Sequence, residues 1–241
     1  GLGVPGWLDQ MGLKPASPLR AVRDCLTVID ALLAGREAVS TETFRAVDVR
    51  LVHPPARPIP LQTGVAGPKM LQLSGELAHG TLLSVLAGTD YVTWAREQID
   101  TGRARAAEPE RPHRITTFAL CAVDDDSAVA KADARTAVAF YLAAGGPNAL
   151  TEAYGISDEL RALLADGDPA GLVDRMPDHW VDDLAVAGDP DECSRKIQTL
   201  LDAGSDHVAL FPTPAENAQR TVAALAAHVL PRFTRDTEIP S

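Results

Sequence analysis

The first hydrophobic pattern along the chain is helical. Its apolar positions follow one another at steps of three or four residues and are Leu19, Val22, Leu26, Ile29 and Leu33. This spacing places them on one face of an α-helix. Ser17 is a suitable N-cap, Pro18 suits the first helical position, and Gly35 ends the pattern. We therefore predict an amphipathic helix over 17–34.

Downstream, short apolar runs alternate with longer helical patterns. Strands are predicted at 59–63, 81–86, 115–123 and 207–211. Helices are predicted from 68 to 80 and from 90 to 99, and an alanine-rich helix is predicted from the aspartates at 124–126 to the glycines at 145–146. Two further helices are predicted after capping boxes that begin at Asp189 and Thr213. This alternation predicts parallel βαβ units, either as a closed barrel or as an open doubly wound sheet. Both folds place functional residues at the carboxyl ends of the strands.

Two segments interrupt this alternation. Residues 39–57 contain short β-like pieces between Phe44 and Val52 and then a proline cluster, which predicts a hairpin-like excursion. Residues 147–187 are predicted to be a mostly helical insertion before the last unit. We interpret the chain 1–241 as a single domain with insertions at these two places.

Composition narrows the function classes. The chain is 46% hydrophobic and 23% charged, as is usual for a folded globular protein. A net charge of −11 with dispersed Lys and Arg argues against a nucleic-acid partner. Its 3 cysteines are widely spaced, which predicts buried thiols and no disulfide framework. No apolar run is long enough to span a membrane, and no signal peptide is recognisable, so we expect a cytoplasmic location.

Two glycine-rich segments could bind a cofactor. Gly1 to Gly6 matches the dinucleotide fingerprint G-x-G-x-x-G, but no strand precedes it and a loop is predicted after it, so a tight turn is the better interpretation. Gly64-Val65-Ala66-Gly67-Pro68-Lys69 instead joins a strand to a helix N-terminus, where free amides and the helix dipole favour an anion. The alternative is an ordinary βα turn with an exposed lysine.

The run from Pro58 to Gly80 resembles the fifth strand and helix of luciferase-like oxidoreductases, especially their coenzyme F420-dependent members. Further stretches resemble the same family in the same order: Gly1 to Val4 with Ala31 to Gly35, Val186 to Glu192, and Ala203 to Val208. The resemblance implies an α/β fold, a TIM (β/α)₈ barrel seen here from the end of strand 4 to helix 8. It also implies a homodimer that binds F420, or alternatively FMN, and acts on a small organic substrate.

The resemblance also implies site residues. The phosphate end of the cofactor would be lined by Thr63, Gly64, Val65, Ala66 and Gly67. Trp7 and Ser84 would face the substrate, with a packed aromatic and a hydroxyl bonded to backbone as the respective structural alternatives.

The sequence departs from the family pattern at three places. His79 stands where the family has Asp before glycine, and Val4 stands where some members have a carboxylate. Family members also have about ninety residues before this point, equal to three βα units of roughly 30 residues. Because those units carry catalytic groups, we assign no catalytic residue. An FMN-dependent monooxygenase and a catalytically inactive partner subunit remain alternative functions.

No metal site is predicted. The histidines at 53, 79, 113, 179, 207 and 228 show no ligand spacing. Asp124, Asp125 and Asp126 follow a strand, where helix capping explains them better than a bound cation.

Overall fold

The computed structural model describes residue 1 and residues 5–233, with only the backbone described for 5–7. The chain divides into two compact units, which are taken in turn. Unit 1 comprises Gly1–Leu83 and Trp94–Thr116, and unit 2 comprises Ser84–Thr93 and Thr117–Ser241.

Helices and strands alternate along the chain as the hydrophobic pattern predicts. The strands are β1 Gln62–Gly64, β2 Gly80–Leu83, β3 Arg114–Val123, β4 Val186–Gly188 and β5 His207–Pro212. The first helices are α1 Pro5–Gln10, α2 Pro18–Leu33, α3 Pro68–Leu77, α4 Thr89–Arg103 and α5 Ser127–Gly145. Then follow α6 Ala149–Ala153, α7 Ser157–Leu164, α8 Leu172–Arg175, α9 His179–Leu184, α10 Pro190–Asp202 and α11 Ala218–Ala224. Short 3₁₀ turns at Ala215–Asn217 and Leu230–Arg232 and a π turn at Leu225–Val229 surround the last helix.

Unit 1 contains a parallel strand pair, with α3 packed against β2 and α2 packed on α3. β1 and β2 run in register from Gln62 opposite Gly80 to Gly64 opposite Leu82. Helix α2 packs its apolar face on α3, with Val22, Leu26 and Leu73 in one buried cluster. Burial of this face supplies the main stabilising term for a helix of this length.

Unit 2 is built around β3. Strand β4 pairs with it in parallel, with Cys121 opposite Val186 and Val123 opposite Gly188, and β5 also pairs with it. Helix α5 packs an alanine-rich face, and the largest buried side chains of the unit include Leu142, Leu160 and Trp180.

Several local predictions are confirmed by cap geometry. The Ser17 hydroxyl accepts from the Arg20 amide at the start of α2. Asp189 and Glu192 form the predicted capping box of α10. Asp126 caps α5 by accepting from the Ala128 amide, which accounts for one of the three consecutive aspartates.

Other local predictions are wrong. No strand forms within 39–57, although the Ala38 amide donates to the Val49 carbonyl and closes the excursion into a hairpin-like loop. The loop expected after Gly6 begins only after the short helix α1, in which Pro5 occupies a position that tolerates its missing N–H; Gly12 and Pro15 lie in a loop as predicted.

The end of the 147–187 insertion and the second capping box also differ from the prediction. Residues Val186–Gly188 form strand β4. Three residues are too few for a strand pattern of apolar and polar positions to appear in the sequence. Thr213 does not cap a helix: its amide donates to the Cys121 carbonyl and extends the β5 pairing, and the following 3₁₀ turn has its N-cap one residue later. The N-cap is Pro214, whose side chain has no hydrogen-bonding group.

Candidate functional site

The turn between β1 and α3 is open. Gly64 and Ala66 are exposed, and Val65 and Gly67 are half-buried. A Cβ atom added at Gly64 or at Gly67 would meet no atom within 4 Å. Among the described residues, the space beside these two glycines is therefore open, and a ligand can approach their backbone closely.

The first turn of α3 has the features of an anion site. Gly67 is the N-cap, in an extended conformation with φ −81° and ψ 160°, and no side chain caps the helix. Pro68 at the first position has no N–H, and the N–H groups of Lys69 and Met70 belong to the first turn, which has no intrahelical acceptor for them. The positive end of the dipole lies here, and the Lys69 side chain is exposed beside it.

Thr63 lies in β1 just before the turn, and its side chain is buried, with 2% exposure. Its hydroxyl points away from the turn and donates to Ser74 Oγ at 2.5 Å. Ser74 Oγ lies 2.6 Å from Thr81 Oγ1, which lies 2.9 Å from His113 Nε2. His113 Nδ1 lies 3.1 Å from the Ala78 carbonyl oxygen. We call Thr63, Ser74, Thr81 and His113 the hydroxyl chain.

The free carbonyl groups at the carboxyl end of α3 are hydrogen-bonded by an arginine and by the His113 imidazole. Arg111 donates to the carbonyls of Glu76 and Ala78, and the Glu76 carboxylate forms a two-bond ion pair with Arg23 of α2. The Arg23 guanidinium holds the pKa of Glu76 below its usual value. These contacts fix the direction of α3 and hence of its N-terminal amides.

His79, the departure from the family pattern, has a structural role. Its Nδ1 accepts from the Leu61 amide at 3.2 Å, and its own amide donates to the Leu61 carbonyl. Burial lowers the pKa of this imidazole, which keeps Nδ1 available as an acceptor. A carboxylate at this position could accept the same amide, so the exchange preserves the contact that starts β1.

Residues 4–207 match the family described as luciferase-like monooxygenase. The chain belongs to the luciferase-like monooxygenase family. A 5,10-methylenetetrahydromethanopterin reductase of Methanolobus tindarius is 27% identical over 235 residues, which are 95% of this chain and 72% of that protein. An F420-dependent glucose-6-phosphate dehydrogenase of Nakamurella multipartita is also 27% identical, over 97% of this chain and 67% of that protein.

A solved structure confirms the fold class. The coenzyme F420-dependent tetrahydromethanopterin reductase from Methanopyrus kandleri has a TM-score of 0.80 and 24% identity, over 96% of this chain and 72% of that chain. The α/β fold with parallel strands predicted from the sequence is thus the fold of this luciferase-like family.

The two residues predicted to face the substrate, Trp7 and Ser84, belong to different units of the chain. Trp7 lies in α1, and its side chain lies outside the described residues, as do Leu2, Gly3 and Val4. Ser84 directly follows β2 and is exposed. Both roles remain predictions.

Unit 2 of the luciferase-like chain holds a separate cleft of about 160 Å³. Its lining includes Gly88, Tyr154, Asp182 and Lys196, and it does not include Ser84. The Lys196 amine donates to the Ala185 and Ala187 carbonyls and to Asp182. Its donors are used within the unit, so this cleft offers less for an anion than the turn before α3.

Within residue 1 and residues 5–233, no three His, Cys, Asp or Glu side chains lie close enough to hold a metal ion. Cys121 and Cys193 are buried free thiols, and Cys25 is partly buried. Across the same described part of the chain, no helix has the length and apolar character needed to cross a membrane.

His113 gives the luciferase-like chain a predictable pH dependence. Burial lowers its pKa to about 4, and the cations Arg103, Arg111 and Arg96 act in the same direction, against the bond to Ala78. Because the folded pKa lies below the unfolded value of about 6.5, the unfolded chain takes up the proton first. Stability is therefore complete above pH 6.5 and declines as the pH falls toward 4.

We expect the free energy of unfolding in urea to fall by about 1 kcal/mol between pH 7.5 and 5.5 on account of this partly exposed imidazole. His113→Gln should remove most of that difference. His79 acts in the same direction and leaves a remainder; His53→Gln in the exposed loop is the control for the substitution itself. An unchanged pH dependence in His113→Gln would show that the imidazole is not buried as described.

Proposed function

We propose that this protein is an oxidoreductase that uses coenzyme F420 for hydride transfer to or from a small organic substrate. The observation that carries the proposal is the open, uncapped first turn of α3 directly after β1. Membership of the luciferase-like family supports it, and so do the names of the relatives, which are F420-dependent or are reductases of one pterin type.

The residues of the turn fit the phosphate group of such a cofactor. The backbone of Gly64, Val65, Ala66 and Gly67 would surround the phosphate, since a Cβ at either glycine would occupy the open space beside it. The amides of the first turn and the Lys69 amine would supply positive charge. When bound, the deazaflavin supplies the hydride chemistry. The chain's own contribution in this region is to bind and orient its phosphate end.

For Thr63 we infer a backbone role in cofactor binding, because its hydroxyl donates to Ser74. We further infer one barrel domain with insertions near 39–57 and 147–187, a homodimeric assembly and a cytoplasmic location. Trp7 and Ser84 remain the proposed substrate-facing residues.

FMN-dependent oxygen chemistry is the second candidate, favoured by the monooxygenase description of the family. The phosphate of FMN would fit the same turn, so the turn cannot discriminate between the two cofactors. A catalytically inactive partner subunit is the third candidate and requires that neither cofactor bind.

Titration of the purified protein with F420 and with FMN tests these candidates directly. We expect F420 to bind with micromolar or tighter affinity and FMN at least tenfold more weakly. Tighter binding of FMN would favour the monooxygenase. Absence of binding by both at micromolar concentration would contradict the proposed function.

A further inference from the structure

The hydroxyl chain of unit 1 can have only one arrangement of protons when His113 is neutral. The Ala78 carbonyl can only accept, so His113 Nδ1 must carry the hydrogen and Nε2 must be bare. Thr81 therefore donates its hydroxyl proton to Nε2. Ser74 then donates to Thr81, and Thr63 donates to Ser74.

The alternative direction for Ser74 is excluded by the distances. If Ser74 donated to the Gly80 carbonyl at 3.3 Å, no proton would lie between Ser74 Oγ and Thr81 Oγ1, which are 2.6 Å apart. Two oxygen lone pairs at that distance repel each other in a low-dielectric interior. The three hydroxyls are buried, with exposures of 2% for Thr63, 1% for Ser74 and 0% for Thr81, so bulk solvent does not supply a missing donor there.

Burial, together with the surrounding cations, keeps His113 neutral. Arg103 and Arg96 face it from α4, and Arg111 faces it from the segment before β3 and shares the Ala78 carbonyl with it. A protonated imidazole would be repelled by all three cations. Protonation would also turn Nε2 into a donor, which would leave the Thr81 hydroxyl proton without its acceptor.

We propose that His113 is a positioning residue for the cofactor-binding turn: its bare Nε2 orders the hydroxyls of Thr81, Ser74 and Thr63, and this order fixes helix α3 against β1 and β2. The proposal rests on the proposed function, because the first turn of α3 is the element that would hold the cofactor phosphate. Amide-to-phosphate hydrogen bonds need donor–acceptor distances of about 2.7–3.2 Å, so a small shift of α3 weakens them.

The same order of protons determines what Thr63 can do at the turn. Its single hydroxyl proton is used on Ser74, so it has none left to donate to a ligand at the turn. Substitutions at the two ends of the chain should therefore have unequal effects. Removing Thr63 Oγ1 leaves the Ser74 and Thr81 protons with their acceptors, whereas removing Thr81 Oγ1 interrupts the chain in its middle.

The test compares F420 affinity and Leu71 amide exchange in variants at pH 7.5. Thr81→Val and His113→Leu should weaken F420 binding about tenfold and speed exchange of the Leu71 amide, which bonds to the Gly67 carbonyl in the first turn of α3. Thr63→Val should change both less than threefold. His113→Gln, which offers a non-titrating oxygen to Thr81, should restore most of what His113→Leu loses.

Two controls separate positioning from general destabilisation. Ile115→Val removes a methyl group from a buried side chain of unit 1 that carries no hydrogen-bonding group, and it should lower stability without changing F420 affinity. The ¹⁵N resonance of His113 Nε2 in the wild-type protein should have the shift of an unprotonated nitrogen.

The proposal is overturned if Thr63→Val weakens binding more than Thr81→Val, because Thr63 would then be a direct ligand. It is also overturned if His113→Gln and His113→Leu behave alike, or if Nε2 carries a proton. Should F420 bind none of the proteins, the proposed function fails, and Leu71 amide exchange alone decides whether the hydroxyl chain positions α3.

Discussion

Replacing Gly67 by Asp should stabilise helix α3 and abolish cofactor binding. Gly67 is the N-cap of α3, has an extended backbone that any residue adopts, and leaves open space for a Cβ atom. An aspartate there can accept from the first free amides and complement the dipole, which stabilises a helix by about 0.5 kcal/mol relative to glycine. The same carboxylate would occupy the position proposed for the cofactor phosphate.

The loss of binding should be large. Two like charges about 4 Å apart repel by roughly 4 kcal/mol at an effective dielectric constant of 20, and the amides that would bind the phosphate are lost as well. We expect F420 affinity to fall at least 100-fold, measured by titration, while the urea midpoint stays equal or rises. The opposite signs of the two effects make this substitution more informative than a destabilising one.

Gly67→Asn is the matched control, because asparagine caps a helix about as well as aspartate without a charge. It should gain the same stability and lose clearly less affinity than Gly67→Asp. Unchanged F420 binding in Gly67→Asp would exclude this turn as the phosphate site, whatever cofactor the protein uses.

Local signals in the sequence predict helix starts well. Ser17 with Pro18, and Asp189 with Glu192, define helix starts through contacts within four residues, and both caps form as predicted. Thr213 shows the limit of such signals. It matches the capping pattern, but its amide is used in a strand pairing with Cys121, a residue far away in sequence.

The sequence predicts the glycine turn of the candidate site but not the hydroxyl chain behind it. The glycine turn is local, so its open backbone could be predicted from Gly64 to Gly67. The hydroxyl chain joins residues from α3, β2 and the segment before β3, and no spacing rule connects them. The available signal was compositional: Ser74 lies among the apolar residues of α3, and Thr81 lies in a buried strand, where a polar side chain needs a partner.

Because α3 packs closely on α4, glycine-to-alanine substitutions at their contact should destabilise the protein, although alanine normally stabilises a helix. A Cβ added at Gly102 would lie 1.9 Å from the Gln72 carbonyl oxygen, and one added at Gly75 would lie 2.1 Å from the Ile99 carbonyl oxygen. Alanine normally stabilises a helix interior by about 1 kcal/mol relative to glycine. Here each methyl group would collide with backbone, so the two helices would have to separate.

We expect Gly75→Ala and Gly102→Ala each to lower the free energy of unfolding by about 3 kcal/mol or more, measured by urea denaturation. Gly145→Ala is the matched control, because the added Cβ at the end of α5 would meet only the Asn148 side-chain nitrogen, at 3.4 Å. That variant should be neutral or more stable than the wild-type protein. If all three alanine variants gained stability alike, α3 and α4 could not approach each other through these glycines as described.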